Sequence, residues 1–339
     1  MRRLITGISI LLAFFISIII YFGYCVLLKP NTKAETTYLL VPHGSNYKSM
    51  IDSINSKGVI KNIGNFMKAA RFEDLEESVK PGRYLIKKGM SNREIIRAIK
   101  YGWQTPLNIT ISGNIRSKER LAALLSRKTE CDSISVLKML KNDKLADSLG
   151  FKPETFIGMF LPNTYEFYWT VTPYEMALRF KKEFDTFWNS SRMSKAKDID
   201  LSPVEVITLA SIVCEESNLK SEYSRIGGVY MNRLKRGIPL QADPTVKYAV
   251  KDPAIKRVLF KHLRTDSPYN TYKYKGLPPG PITIPPLPAI DSVLNFENHN
   301  YLYFCAKANL DGSHVFASTL AEHNKNARAY QLAISRLKR

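Results

Sequence analysis

Ser202-Pro203-Val204-Glu205-Val206-Ile207-Thr208-Leu209-Ala210-Ser211-Ile212-Val213-Cys214-Glu215-Glu216-Ser217-Asn218 reads as a helix with a defined start and an acid at its end. Ser202 suits the N-cap, Pro203 the first helical position, and Glu205 stands where a capping box places an acid. Steps of three and four put Val206, Leu209, Val213 and Glu216 on one face, whereas Glu215 shares a face with Thr208, Ser211 and Ile212. The two adjacent acids therefore meet different surroundings. Glu216 is expected against apolar groups at the negative end of the helix dipole, and both effects disfavour its anion and raise its pKa. A carboxyl of that kind donates a proton at neutral pH. The plainer reading is a helix that closes on two solvated acids, since glutamate is seldom buried.

Far upstream, Leu4 to Leu28 runs without a charge, longer than the roughly 20 apolar residues that cross a bilayer. The basic Arg2 and Arg3 before it and Lys29 after it predict an uncleaved single-pass anchor with a cytoplasmic stub, residues 1–3, and all that follows outside the cell membrane. A cleaved signal peptide has a shorter apolar core and small residues behind it, which this run lacks. The 339 residues, 45% hydrophobic and 24% charged, leave enough chain for one large or two smaller globular domains. A net charge of +20 favours polyanions, and the expected location removes nucleic acid, leaving anionic lipid headgroups or an envelope polymer. The basic residues are nonetheless interspersed with acids in stretches such as Lys61 to Arg93, which also fits a solvated surface without a dedicated partner. Beyond the anchor stand Cys131, Cys214 and Cys305 without C-x-x-C spacing, so neither a metal site nor a disulfide framework is expected, and Cys214 reads as a small buried residue.

The pattern predicts an α+β chain. After a polar linker, Asn31 to Glu35, a small module over 36–103 opens with a strand at Thr37 to Val41, turns at Pro42-His43-Gly44 and continues with helical spacing through Met50, Ile51 and Ile54. Pro81-Gly82 leads a strand to Ile86, and Ser91-Asn92-Arg93-Glu94 is a second capping box whose helix ends at Gly102. A larger α+β domain over 105–339 follows. It has a strand at Leu107 to Ile111, a mainly helical region from Ser117 to Trp188 interrupted at Thr155 to Trp169, and a polar connection from Lys195 to Ser202. A helix from Tyr223 to Arg236 comes after the quoted stretch. Gly237 to Pro288, rich in Pro, Gly, Asn and Tyr, reads as a long shaped loop of the kind that carries binding residues. A helix from Ala289, strands at 301–306 and 313–317, and a last helix over 321–338 complete the expectation.

Several of these segments together resemble the MltG (YceG-like) family of endolytic murein transglycosylases. The similarity covers nearly the whole chain: Val41-Pro42-His43-Gly44, Pro81-Gly82-Arg83-Tyr84, Pro162-Asn163-Thr164-Tyr165-Glu166-Phe167, and Leu209-Ala210-Ser211-Ile212-Val213 with Glu216. It continues through Asn232-Arg233-Leu234, Leu240-Gln241-Ala242-Asp243-Pro244-Thr245, Tyr269-Asn270-Thr271-Tyr272, Leu277-Pro278-Pro279-Gly280-Pro281-Ile282, Gly312-Ser313-His314-Val315-Phe316 and Glu322-His323-Asn324. Departures from the family pattern are Ile157 before Gly158, Ile284-Pro285-Pro286 after the Pro-Pro-Gly-Pro-Ile run, and Cys214 in the motif helix. The resemblance implies a LysM-like module at 36–103, a lytic transglycosylase domain at 105–339, Glu216 as the catalytic acid and base, no cofactor, glycan strands of peptidoglycan as substrate and peptidoglycan synthases as partners.

In the chemistry so implied, one carboxyl suffices, because the sugar's own C6 hydroxyl is the nucleophile and closes a 1,6-anhydro ring. Glu215 cannot supply a second carboxyl, since neighbours on a helix point about 100° apart. Asp243 could serve if the enzyme were instead a muramidase-type hydrolase, or could fill a turn and cap role before Pro244. Gln241, Asp243, Tyr269, Asn270, Thr271 and Tyr272 are the substrate-binding candidates, able to hydrogen-bond or stack on sugars, though aromatic residues in such loops also serve as core. His314 and His323 could position substrate, but a lone histidine more often has a structural role, and no metal-ligand spacing supports more. A reading of another class is a non-catalytic scaffold that holds glycan beside the synthases.

Overall fold

The computed structural model describes residues 2–33, 35–252, 255 and 257–337, the side chains of residues 2 and 3 excepted. The basic stub at residues 1–3 and the end of the last predicted helix at Lys338 thus lie wholly or partly outside the described residues. The chain forms two compact units, one of Met1–Ile109 with Lys128–Cys131 and Tyr165–Thr172, the other of Thr110–Arg127, Asp132–Thr164 and Pro173–Arg339.

In the first unit, α1 (Arg2–Gly23) continues into one π-helical turn, Tyr24–Leu28. There follow β1 (Thr37–Val41), α2 (Tyr47–Lys57), α3 (Ile63–Phe72), β2 (Gly82–Ile86), α4 (Asn92–Tyr101) and β3 (Leu107–Ile111). β1 and β2 pair antiparallel, with Leu39 opposite Tyr84 and Val41 opposite Gly82. Alternate residues of each strand face a core of Leu39, Val41, Ile54, Phe66, Tyr84 and Ile96, as period-two patterning requires. The predicted capping box opens α4: Ser91 Oγ accepts from Glu94 N, the Glu94 carboxylate accepts from Ser91 N, and Gly102 closes the helix in the left-handed region at φ 68°. The stretch after Lys61 also holds α3, capped by Asn62 and with Lys68 and Arg71 as its charged residues.

The stretch at Asn31 to Glu35 departs from its reading as a linker. Asn31 and Thr32 are buried. Asn31 Nδ2 donates to Asn62 O at 2.8 Å and to Asn92 Oδ1 at 2.7 Å, its Oδ1 accepts from Asn62 N, and Thr32 Oγ1 donates to Lys87 O. Polar side chains here satisfy buried backbone groups, so a polar sequence forms a fastened strap.

The second unit contains α5 (Lys118–Ser126), α6 (Ser133–Leu140), α7 (Asp143–Ser148), β4 (Asn163–Phe167), α8 (Pro173–Phe187), α9 (Ser190–Asp198) and α10 (Pro203–Glu216). It continues with α11 (Tyr223–Lys235), α12 (Asp243–Val250), α13 (Phe260–Leu263), α14 (Leu287–Leu294), β5 (Tyr303–Ala306), β6 (His314–Ala317) and α15 (Leu320–Leu337). β5 pairs antiparallel with β6. Two expectations are corrected. The first half of the supposed connection at 195–202 belongs to α9, whose Asn189 cap accepts from Arg192 N. The supposed long loop at 237–288 contains α12 and α13; Pro244 is tolerated because it lies in the first turn, where its missing N–H has no helical partner to lose.

Candidate active site

α10 begins as its sequence predicts, with Ser202 Oγ accepting from Glu205 N at 3.3 Å and Glu205 Oε2 accepting from Ser202 N at 2.8 Å. It differs from a one-sided amphipathic helix: every residue from Val206 to Val213 is buried, because α11, α12 and α14 pack around it. Its two buried hydroxyls are satisfied locally, Thr208 Oγ1 donating to Val204 O and Ser211 Oγ to Thr208 O. Ser211 Oγ also accepts from Ile282 N at 3.0 Å, which fastens the Pro-Pro-Gly-Pro-Ile segment across the helix. Within that segment Gly280 lies against the Glu154 carbonyl, leaving no room for a Cβ.

The two acids at the end of α10 have separate surroundings. Arg116 takes both oxygens of Glu215, with its Nε 3.1 Å from Oε1 and its second guanidinium nitrogen on Oε2. Arg116 is held there by backbone bonds from Asn114 N to Ile284 O (2.8 Å) and from Ile284 N to Ile115 O (2.9 Å). Glu216 has a phenol instead. Tyr230 of α11 donates its hydroxyl to Glu216 Oε1 at 2.6 Å. Although the Glu216 side chain keeps some contact with solvent, burial pushes its carboxyl from 4.5 up to about 7. The Tyr230 hydrogen bond and the charge of Lys247 pull against that rise, while the negative charges of Asp243 and Glu215 add to it. Burial and the neighbouring Glu216 push the Tyr230 phenol well above its usual range, so it remains a donor at any physiological pH.

Around this pair, Arg233 lies buried beneath Tyr230 on α11, donating to the carbonyls of Leu302 (2.7 Å) and Leu240 (2.9 Å) and to Gln241 Oε1 (3.2 Å). Gln241 is exposed, takes a left-handed φ of 53°, and donates its N–H to Thr271 O. Asp243 is the first residue of α12 with Ala242 at the cap position, which departs from its expected capping role. Its Oδ1 accepts the Tyr272 hydroxyl at 2.7 Å. Tyr269 packs its ring against Tyr248, centroids 4.8 Å apart.

Asn270 and Thr271 turn inward. Asn270 Nδ2 donates to Leu263 O and Thr265 O, its Oδ1 accepts from Tyr272 N, and Thr271 Oγ1 accepts from Ala242 N and meets Thr245 Oγ1 at 2.8 Å. Both are fully buried. In this geometry they shape the loop that presents Tyr269 and Tyr272, in place of the direct sugar contact expected of them.

His314 and His323 have structural surroundings. His314 Nδ1 lies 2.7 Å from Glu222 Oε2, and the same carboxylate accepts from Ser217 Oγ at 2.9 Å, tying β6 to the residue that follows Glu216. His323 stacks on Tyr303, and burial holds its pKa down. Burial pushes the Cys214 thiol up to about 12, an inert state, and none of the four cysteines is bridged. A surface hollow at the opposite end of α10, lined by Met193, Ala196, Lys197, Leu201 and Pro203 among others, contains none of the groups gathered at Glu216.

Sequence reading missed Tyr230, Arg233 and Arg116 as members of this constellation. Asn232-Arg233-Leu234 was visible as a motif, but Tyr230 two residues before it carried no local signal. Arg116 lies 99 residues from its partner.

The model of the YceG-like family matches residues 39–329. A Bacillus subtilis protein named endolytic murein transglycosylase is 31% identical over 324 residues, covering 90% of this chain and 88% of that protein. A Streptococcus pneumoniae protein of the same name is 27% identical over 345 residues, covering 90% of this chain and 61% of its own length. Among solved structures, a YceG-like protein from Listeria monocytogenes superposes with a TM-score of 0.58 at 27% identity, covering 86% of this chain and 98% of that one.

Proposed function

Since the chain belongs to the YceG-like family, we propose that the carboxyl closing α10 is the acid and then the base of its reaction. The activity is that of an endolytic murein transglycosylase, a lyase acting on peptidoglycan. The observation that carries the residue assignment is Glu216 itself: a carboxyl raised to about 7, gripped on one oxygen by a phenol.

With Oε1 accepting from Tyr230, the neutral carboxyl carries its proton on Oε2. Neutral Glu216 protonates the glycosidic oxygen that leaves with C4 of N-acetylglucosamine while positive charge builds at C1 of the muramic acid. The resulting carboxylate keeps the Tyr230 hydrogen bond, now charge-assisted and stronger. It then takes the proton from that sugar's C6 hydroxyl as the oxygen attacks C1, closing the 1,6-anhydro ring and returning Glu216 to its starting state. No water enters. The Asp243 carboxylate, oriented by Tyr272, favours the cationic C1, and Gln241, Tyr269 and Tyr272 line the approach of the glycan.

Residues 36–103 are read as a LysM-like glycan-binding module, supported by the strand–helix–helix–strand order of β1, α2, α3 and β2. The transglycosylase domain spans 105–339. The run Leu4–Leu28 is long and apolar enough to span a membrane, which supports a single-pass anchor with both folded units on the extracytoplasmic side, beside peptidoglycan synthases.

Incubating the purified full chain with nascent murein and weighing the products separates the readings. Anhydro-ended fragments lost on Glu216→Gln support the assignment. Reducing ends, heavier by one water, would make the enzyme a hydrolase with Asp243 as its second carboxylate, and anhydro products from Glu216→Gln would remove Glu216 from its role.

A further inference from the structure

The apolar run Leu4–Leu28 is 25 residues long, yet its last turn serves the protein and not a bilayer. Within Tyr24–Leu28, Val26 is only 6% exposed and belongs to the core of the first unit, where its carbonyl accepts from Asn92 Nδ2 at 2.7 Å. What remains, Leu4 to Gly23, is about 20 residues, or ~30 Å at 1.5 Å per residue, the thickness of a hydrocarbon core. The folded module therefore begins where the hydrocarbon ends. The strap at Asn31–Thr32 leaves no slack, because both residues are buried and hydrogen-bonded to the module.

α3 packs directly on that last turn. Lys68 Nζ stands 5.6 Å from the centroid of the Phe22 ring, so this lysine lies beside a residue of the spanning segment itself. Steps of four along α3 put Phe72 in the same row as Lys68, with Met67 and Arg71 in the adjoining row. Phe72 is 69% exposed and Met67 44% exposed, large apolar groups open at the level where the anchor leaves the bilayer. Lys29 and Lys61 are exposed beside the exit. Acids stand nearby too: Glu76 meets Arg71 at 3.7 Å, Glu73 is engaged by Arg93 and Arg97, and Asp74 and Glu77 are exposed just after α3.

We propose that α3 is a membrane-contact helix. Phe72 and Met67 enter the interface of the leaflet on the module's side, while Lys68, Arg71, Lys29 and Lys61 bind the phosphates of anionic phospholipids. This arrangement fixes the height and tilt of the module above the bilayer. It rests on the reading of α1 as an anchor.

The test uses the full chain reconstituted in vesicles of phosphatidylcholine and phosphatidylglycerol, with p-benzoylphenylalanine placed singly at Phe22, Phe72 or Asp52, the last an exposed site on α2. Photolysis should label lipid at positions 22 and 72 well above position 52. The charge reversals Lys68→Glu and Arg71→Glu should each lower labelling at position 72 about fivefold and leave position 22 unchanged, and vesicles of phosphatidylcholine alone should lower it similarly. Labelling at 22 with position 72 no higher than 52 overturns the proposal while the anchor stands. Labelling at neither 22 nor 72 overturns the anchor reading. Labelling at 72 that ignores both charge reversal and phosphatidylglycerol overturns the anionic-lipid part.

Discussion

Glu73 and Glu216 both sit at the C-terminal end of a helix, one in each compact unit, and their carboxyls are driven in opposite directions. At the end of α3, burial raises Glu73, but hydrogen bonds and charge from Arg93 (2.6 Å) and Arg97 (3.5 Å) outweigh it and hold the group below its usual range. At the end of α10, burial pushes Glu216 up to about 7, and neither the Tyr230 phenol nor the charge of Lys247 brings it back to the ordinary value. The dipole of each helix opposes an anion at that end in both cases, so the identity of the partners decides the outcome. Glu215 differs from Glu216 in its partner too, which is Arg116. Glu73 and Glu215 are each in direct contact with a guanidinium, whereas burial is the largest influence on Glu216.

The largest expected effect comes from Glu216→Gln, which should cut the rate of anhydro-end formation by about 10²- to 10⁴-fold, the usual contribution of a positioned acid and base, with the far-ultraviolet spectrum unchanged. Glu215→Gln should leave most of the activity. An equal loss in both variants would erase the distinction between them.

Tyr230→Phe removes the donor that lowers the Glu216 pKa. Activity should fall about tenfold, and the descending limb of the pH–rate profile should move above its wild-type position near 7. A limb that moves down, or stays, would show that the phenol does not act on this carboxyl.

Stability should distinguish the two helix-terminal acids by sign. Glu216 has a folded pKa above its unfolded one, so wild-type stability falls as pH rises from about 4.5 to about 7 and stays low above that. Glu216→Gln should therefore be the more stable protein at pH 8 by about 1–2 kcal/mol, the gap closing in acid. Glu73 has a folded pKa below its unfolded one, so its stabilisation is present above the unfolded value and lost as pH falls through the folded one. Glu73→Gln should destabilise by about 1 kcal/mol at neutral pH, and this gap also closes in acid. Denaturant titration at two pH values checks both, and the same sign for both would break the comparison.

The smallest effect is expected at the Arg116 to Glu215 pair. Arg116→Met should cost less than about 1 kcal/mol, because the arginine side chain is largely open to solvent and screened there.

How much of this was legible in the sequence follows from the range of the interactions. The start of α10 was visible because Ser202, Pro203 and Glu205 act within one turn, and the difference between Glu215 and Glu216 followed from helical geometry alone. The burial of α10 on all sides was not, since it depends on α11, α12 and α14 arriving from later in the chain. Tyr230 and Arg116 were hidden for the same reason. α12 was hidden by Pro244, a residue that ends helices in their interior and is harmless in their first turn. The strap at Asn31 misled because its bonds span 31 and 61 residues, and polarity alone cannot distinguish a solvated linker from one whose polar groups are all spoken for.

The most direct test of the central claim is the titration of the Glu216 carboxyl in the full chain, followed by its carbon-13 resonance and identified by its loss in Glu216→Gln. A midpoint near 7, moving upward in Tyr230→Phe, is the predicted result. A midpoint at the ordinary 4.5 would leave the group ionised at neutral pH and contradict its role as the proton donor.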